Sequence, residues 1–318
     1  MEKSIDELRQ VMGTNPKEKT PLKTEFFEGV RGIKVALMDN PVNPYKAMFN
    51  MATSTWGNKI DKWKETTPEA RYWVVKSVLE FRSLPLAMES PSFSFSIEGC
   101  SRSAFDQIAR ARIGAVFASM GWRDNDHSDI GFRVPQSIWN DKESLEDFKI
   151  TCITAKNHYH NLVEKGKSSW QDARAHLPIS ALHNFSMAMN YMALRGFCNK
   201  RLKFCEQADT VAVAWLIREE MLKSFPLMGS YLRPSCDNKG ICEYHNDYAM
   251  SEAFGCLFKE CGRNKCLAID EYASFNFSCS DKQVIETQLN LYIPNAKENM
   301  PVEEYKDLSD IDKKLFNN

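Results

Sequence analysis

The 318-residue sequence has little that would commit it to a membrane, a polyanion or an oxidising compartment. Its longest purely apolar stretch, Val211 to Ile217, is far shorter than the roughly 20 residues a spanning helix needs. The opening Met1-Glu-Lys-Ser-Ile-Asp carries no apolar signal core, so the expectation is a soluble, cytoplasmic protein with no membrane contact. Net charge is scarce as well. Lys plus Arg number 41 against 42 Asp plus Glu, a formal -1 that gives no reason to expect direct nucleic-acid binding. Histidine is sparse, and His127, His158, His160, His176 and His183 form no metal-spaced pair on a common helix face. No internal repeat or low-complexity tract is visible. Cysteine is plentiful instead: ten residues without a secretion signal point to buried thiols, a metal site or redox chemistry, not to a disulfide framework.

Residues 1–28 are polar and suit a mobile arm or an extension lying on a partner subunit. Ile33 to Met38 alternates and then runs apolar into Asp39-Asn-Pro, which predicts a buried first core strand. Thr66-Thr-Pro-Glu ahead of Tyr72, Val75 and Leu79 predicts a capped amphipathic helix ending before Pro85. Ser92 to Ile97 places Phe93, Phe95 and Ile97 on one face of a strand that Gly99 breaks. Helices are expected over Ala104–Ala118, Ser144–Glu164, Ala181–Cys205 and Gln207–Lys223, the last closed by Pro226. The class is α+β, with long helices dominating.

Two groups of polar residues lie on these helices. Gln107 and Arg110, three apart, share a face of the expected 104–118 helix, whereas Arg110 and Arg112 diverge by about 200° and could serve two ligands. A guanidinium fork matches phosphate or carboxylate oxygens, and a neighbouring Gln amide reads a pyrimidine edge or a phosphate. Ala173-Arg174-Ala-His-Leu-Pro178 precedes Asn190, Arg195 and Arg201 on the next long helix, where Asn190 and Arg201 stand about 16 Å apart on one face. Spacing alone leaves the alternative open that all of these are solvated surface charges and a helix-terminal cation.

Over roughly residues 33 to 266 the sequence resembles the flavin-dependent thymidylate synthases. Ser101-Arg102 followed by Gln107-Ile-Ala-Arg110-Ala-Arg112 matches that family's Ser-Arg step and Gln-x-x-Arg-His-Arg segment. Ala173-Arg174-Ala-His-Leu-Pro178, Asn190, and Arg201 with Gln207 match its later elements in order and spacing. The resemblance implies a fold of long helices on a mainly antiparallel sheet, with a catalytic domain over 29–235. It implies transfer of a one-carbon unit from methylenetetrahydrofolate to carbon 5 of dUMP, giving dTMP, with FAD as hydride carrier, NADPH as its reductant, and a homotetramer. By the same resemblance Gln107, Arg110, Ser119, Arg123, Arg174 and Arg201 would bind dUMP. Thr55, Glu89, Arg112, Ile113 and Asn190 would meet the flavin, and no catalytic side-chain nucleophile is expected.

The sequence also departs from the family's signature. Ala111 stands for its His, Ala115 and Phe117 for a Ser and an Asn, and Met192 and Gly196 for a flavin-contacting Arg and a second Asn. Two further readings therefore accompany the first: a 5-hydroxymethylase acting on a pyrimidine deoxynucleotide of modified viral DNA, or a nucleotide-binding homologue without catalysis. Cys198 and Cys205 read as helix packing residues. In the Cys-rich segment 236–280, Cys236, Cys242 and Cys261 are zinc candidates set against packing thiols. Pro234-Ser-Cys236, Gly240-Ile-Cys242 and Cys261-Gly262 match a pattern of viral-type family members. Residues 281–318 read as a polar C-terminal tail.

Overall fold

The computed structural model describes residues 24–57, 61–166, 168–202, 206–233 and 302–318. Its centre is a four-stranded antiparallel sheet in the order β2-β3-β6-β4, built from β2 (Lys34–Asp39), β3 (Ser92–Ser101), β4 (Ala115–Ser119) and β6 (Leu182–Asn190). A separate pair, β1 (Phe26–Glu28) and β5 (Phe132–Val134), runs parallel. The α+β class and the antiparallel sheet expected from the sequence are both present.

Alternation sets the two faces of the sheet. Phe93, Phe95 and Ile97 of β3 and Phe185, Met187 and Met189 of β6 are buried in the main core. Helix α8 (Ala208–Ser224) covers that face with Ala212, Val213, Ile217 and Met221. β2 is an edge strand whose Val35 and Leu37 are only half-buried, so the buried first strand expected at 33–38 is a half-exposed edge. The opposite face carries Lys34, Glu98 and exposed Val116 around a row of small residues. Pairing aligns Ala36, Ser96, Ser186 and Ala118 in one row across all four strands.

Around the sheet, α1 (Pro44–Thr53) starts on the Asn43 side chain and α2 (Pro68–Leu79) on Thr67, with proline in the first turn of each. Helix α3 (Arg102–Ile108) follows β3, and α4 (Gln136–Asn140) leads into α5 (Lys142–Glu164), which ends before Gly166 at φ 60°. α6 (Trp170–Ala173) precedes β6, α7 (Tyr191–Arg201) follows it, and α9 (Pro226–Ser230) follows α8. A second, smaller core of Trp122, Ile130, Phe132, Cys152, Tyr159 and Leu177 lies under α5.

Two expected helices are corrected. The 104–118 segment is helical only to Ile108; Gly114, at φ 67°, turns the chain into β4. The 181–205 segment opens as β6, because its buried residues His183, Phe185, Met187 and Met189 recur every second position, the period of a strand. Asn190 then caps α7 by accepting from the Ala193 N–H at 2.8 Å. Gly99 does not break β3: the strand continues to Ser101 through a bulge at Gly99, φ 75°, whose N–H donates to Asn184 Oδ1 at 2.8 Å.

Both termini of the expected domain also differ. Phe26–Glu28, expected in a mobile arm, are strand; residues 1–23 lie outside the described residues. Residues 302–318, expected as a polar tail, are part of the core. Ser309 caps α10 (Asp310–Asn317), and Phe316 is fully buried, stacking on Tyr45 at 4.6 Å between ring centroids and meeting Tyr72 edge-on. Tyr45 Oη donates to Asp312 at 2.5 Å, Leu227 N–H donates to its other oxygen at 3.0 Å, and Arg71 Nη1 donates to the Phe316 carbonyl at 2.5 Å. The Cys-rich segment, with Cys236, Cys242 and Cys261, lies outside the described residues. Cys198 is buried, and burial pushes its thiol up to about 12, as suits a packing residue; Cys205 lies outside the described residues.

Candidate active site

The end of β3, helix α3 and the start of α8 hold one continuous set of hydrogen bonds. Ser101 caps α3 by accepting from the Ala104 N–H at 3.1 Å, while its own N–H and Oγ donate to the buried Asp209 in the first turn of α8. Burial raises the Asp209 carboxyl, and the two Ser101 bonds oppose that rise. The first turn of α3 is thereby tied to the first turn of α8. Ser103 Oγ donates to Gln207 Oε1 at 2.8 Å, and Gln107 Nε2 donates to the same oxygen at 2.5 Å. Arg201, buried at the end of α7, donates from Nη2 to the Gln107 carbonyl at 2.7 Å and from Nη1 to Glu206.

Gln107 and Arg201 are therefore brought together, each on a helix shorter than the one expected for it. Arg110 and Arg112 leave α3 in the turn toward β4, so the shared helical face of Gln107 and Arg110 gives way to a shared turn, with both arginines exposed. Asn190 and Arg201 belong to one helix only as its cap and its last residue. Arg174 is half-buried in the turn after α6, and the chain following it runs beside α3: the Arg102 N–H donates to Ala181 O at 2.9 Å and the Ser103 N–H to Ile179 O at 3.0 Å. Arg102 pairs with Asp106, Arg123 with Asp124 and Arg201 with Glu206, whereas among the described residues Arg110, Arg112 and Arg174 have no carboxylate partner. The three open cations are the ones with charge to offer a ligand.

Other expected contacts are looser. Ser119 closes β4 and is exposed, as are Arg123, Thr55 in the turn after α1, and Glu89 ahead of β3. Ile113 is 94% exposed. The Asn190 side chain packs so closely on Gly114 that a Cβ there would sit 2.6 Å from Nδ2. Phe117 turns inward against Phe105, its ring edge-on at 6.4 Å.

These residues fall within a segment, 36–227, that matches the family of thymidylate synthase complementing proteins. The chain belongs to this family. Similar to it are the flavin-dependent thymidylate synthase of Pyrococcus furiosus, 30% identical over 210 residues (60% of this chain, 84% of that one), and its counterpart in Pyrococcus horikoshii, 30% identical over 227 residues (66% and 89%). Among solved structures, the UMP/dUMP methylase PolB from Streptomyces cacaoi bound with 5-Br dUMP shares the fold. The TM-score is 0.53 at 16% identity, over 65% of this chain and 96% of that one. In this thymidylate synthase complementing protein family member, Glu206, Asp209 and Ser103 join the hydrogen-bonded set without having been singled out from sequence, beside Gln207 of the motif. Their signal was positional: Glu206 and Gln207 immediately precede α8, and Asp209 lies in its first turn.

No cluster of three or more His, Cys, Asp or Glu able to hold a metal occurs among the described residues, and no helix among them is long and apolar enough to cross a membrane.

Proposed function

We propose that the protein transfers a one-carbon unit from methylenetetrahydrofolate to carbon 5 of dUMP, giving dTMP, with FAD and NADPH, in the cytoplasm. The observation that carries this is the convergence of Gln107, Gln207 and Arg201 beside cations without carboxylate partners, in a chain of this family. Free thiols at Cys100, Cys152 and Cys198 fit a reducing compartment.

In this reading Arg110 and Arg174 hold the nucleotide phosphate through their guanidinium forks. Arg201, already neutralised by Glu206, contributes directed hydrogen bonds and fixes the Gln107 backbone. Ser119 and Arg123, both exposed, complete the nucleotide side. The donor set also suits FAD: Arg112 is an open cation for its diphosphate, exposed Ile113 offers apolar contact to its ring, and Thr55 and Glu89 present exposed polar groups. Asn190 joins them through Nδ2, since its Oδ1 is committed to capping α7. Bound FAD supplies the hydride, and the side chains supply position and charge. Residues 29–235 with the docked 302–318 form the catalytic unit. The row of small residues on the outer sheet face suits contact with a second copy, in keeping with a homotetramer.

Incubation of the purified protein with FAD, NADPH, methylenetetrahydrofolate and dUMP, followed by mass analysis of the nucleotide, tests the proposal. The expected product has the mass of dTMP. A product one oxygen heavier would assign a 5-hydroxymethyl transfer, and a protein that neither takes up FAD nor alters dUMP would overturn the enzymatic reading.

A further inference from the structure

No two histidines share a helix face in the sequence, but the fold pairs two of them across separate elements. His158 stands on α5 and His176 in the turn Arg174–His176 after α6, and their rings meet edge to face at 5.9 Å between centroids. Both side chains are exposed. Their backbones are held from below, because Tyr159 beside His158 and Leu177 beside His176 are buried in the smaller core under α5. The other described histidines are committed or enclosed. His160 meets Ser128 Oγ at 3.0 Å and Glu164 at 3.2 Å, while His127 and His183 are buried. Among the described residues, neither the His158 ring nor the His176 ring has a hydrogen-bond or ion-pair partner.

The separation of the two rings suits a shared ion. A metal holds an imidazole nitrogen at about 2.0–2.1 Å, and that nitrogen lies about 1.1 Å from the centre of its ring, so two rings on one ion stand about 5.2 Å apart at a tetrahedral angle and about 6.4 Å apart on opposite sides of it. The observed 5.9 Å lies between these limits. We infer that His158 and His176 form a two-histidine site for a divalent transition metal ion of the zinc, copper or nickel kind, bridging α5 to the turn that carries Arg174. Imidazole is a favoured ligand of these ions, and water completes the coordination, which makes the site open and exchangeable, not a closed structural centre. Turning two nitrogens toward one ion breaks no hydrogen bond, because neither ring makes one. The site stands independently of the nucleotide reading.

Calorimetric titration of the full chain with Ni2+ at neutral pH tests this, comparing wild type with His158→Ala, His176→Ala and His160→Ala. Wild type is expected to bind one equivalent more than either of the first two variants, at least about 10-fold tighter than any nickel binding that replaces it in them. His160→Ala alters a neighbouring histidine outside the pair and should keep that equivalent. Because only neutral imidazole binds metal, the same equivalent should disappear near about pH 5. Nickel held by thiolates elsewhere in the chain is common to all four proteins and cancels in the difference. Equal stoichiometry in wild type and both pair variants would overturn the inference. So would a loss confined to one of the two, since a single histidine would then be the ligand. Should an alanine variant fail to fold, His158→Gln or His176→Gln takes its place with the same expected loss.

Discussion

His183 shows how a single side chain can sit at odds with its surroundings. It is fully buried between Phe105, at 4.6 Å between ring centroids, and Trp122, at 5.9 Å, and neither ring nitrogen has a hydrogen-bond partner. Burial, followed by the Arg102 and His127 charges, lowers its pKa from 6.5 to about 4. The folded value lies below the unfolded one, so the protein binds fewer protons at this group when folded. Its contribution to stability is complete above pH 6.5 and is lost as the pH falls through about 4. His183→Phe removes two unsatisfied polar atoms from an aromatic site and is expected to stabilise the fold by about 1–3 kcal/mol. That gain should widen between pH 6.5 and 4. Thermal melts of both proteins at pH 7.5 and 4.5 check this, and a variant melting lower at both would refute it. Its isolation among rings was not legible in the sequence, because Phe105 and Trp122 reach it from far along the chain.

At the scale of elements, the C-terminal helix is docked into the core. Phe316 fills the space between Tyr45, Trp63 and Tyr72, and Asp312 accepts from Tyr45 and from the Leu227 N–H. Phe316→Ala is expected to cost about 3–5 kcal/mol, read as a lowered midpoint in denaturant titration with nucleotide affinity per folded molecule unchanged. A loss below about 1 kcal/mol would mean that the helix is a surface appendage. In the sequence this helix reads as part of a polar tail, although Ser309 is a cap residue and Ile311, Leu315 and Phe316 share one face of a two-turn helix. The capped helix after Thr67, the helix stopped at Gly166 and the Phe93 strand were legible because caps, stop signals and alternation are local. β6 was not, because methionine and alanine favour helix while its two-residue period was the stronger evidence. The same misreading placed Arg110 on a helix face, when Gly114 makes its neighbourhood a turn. The residues proposed for the nucleotide do not rest on these assignments, because motif order does not depend on secondary structure.

For the whole molecule, the surface proposed to meet a second copy is the outer face of the sheet. Ala36, Ser96, Ser186 and Ala118 form a flat row, flanked by Val116 at 69% exposure. Such a face lets a second copy approach closely. Ser186→Glu places a charge at the centre of the row, so light scattering is expected to report a tetramer for the wild type and a smaller species for the variant. A wild-type monomer, or a variant of unchanged mass, would direct attention to another surface. Strands that pair in the sheet come from far apart in the chain, β3 with β6 above all, and the C-terminal helix closes contacts more distant still. Asp312 meets Tyr45 across 267 positions. At a synthesis rate of about 5–20 residues per second, the cavity awaiting Phe316 stays open for on the order of tens of seconds after its walls emerge from the ribosome. A nascent chain of this protein therefore displays an unfilled aromatic socket for most of its synthesis, a period in which a chaperone has something to hold and premature termination leaves a product marked for proteolysis.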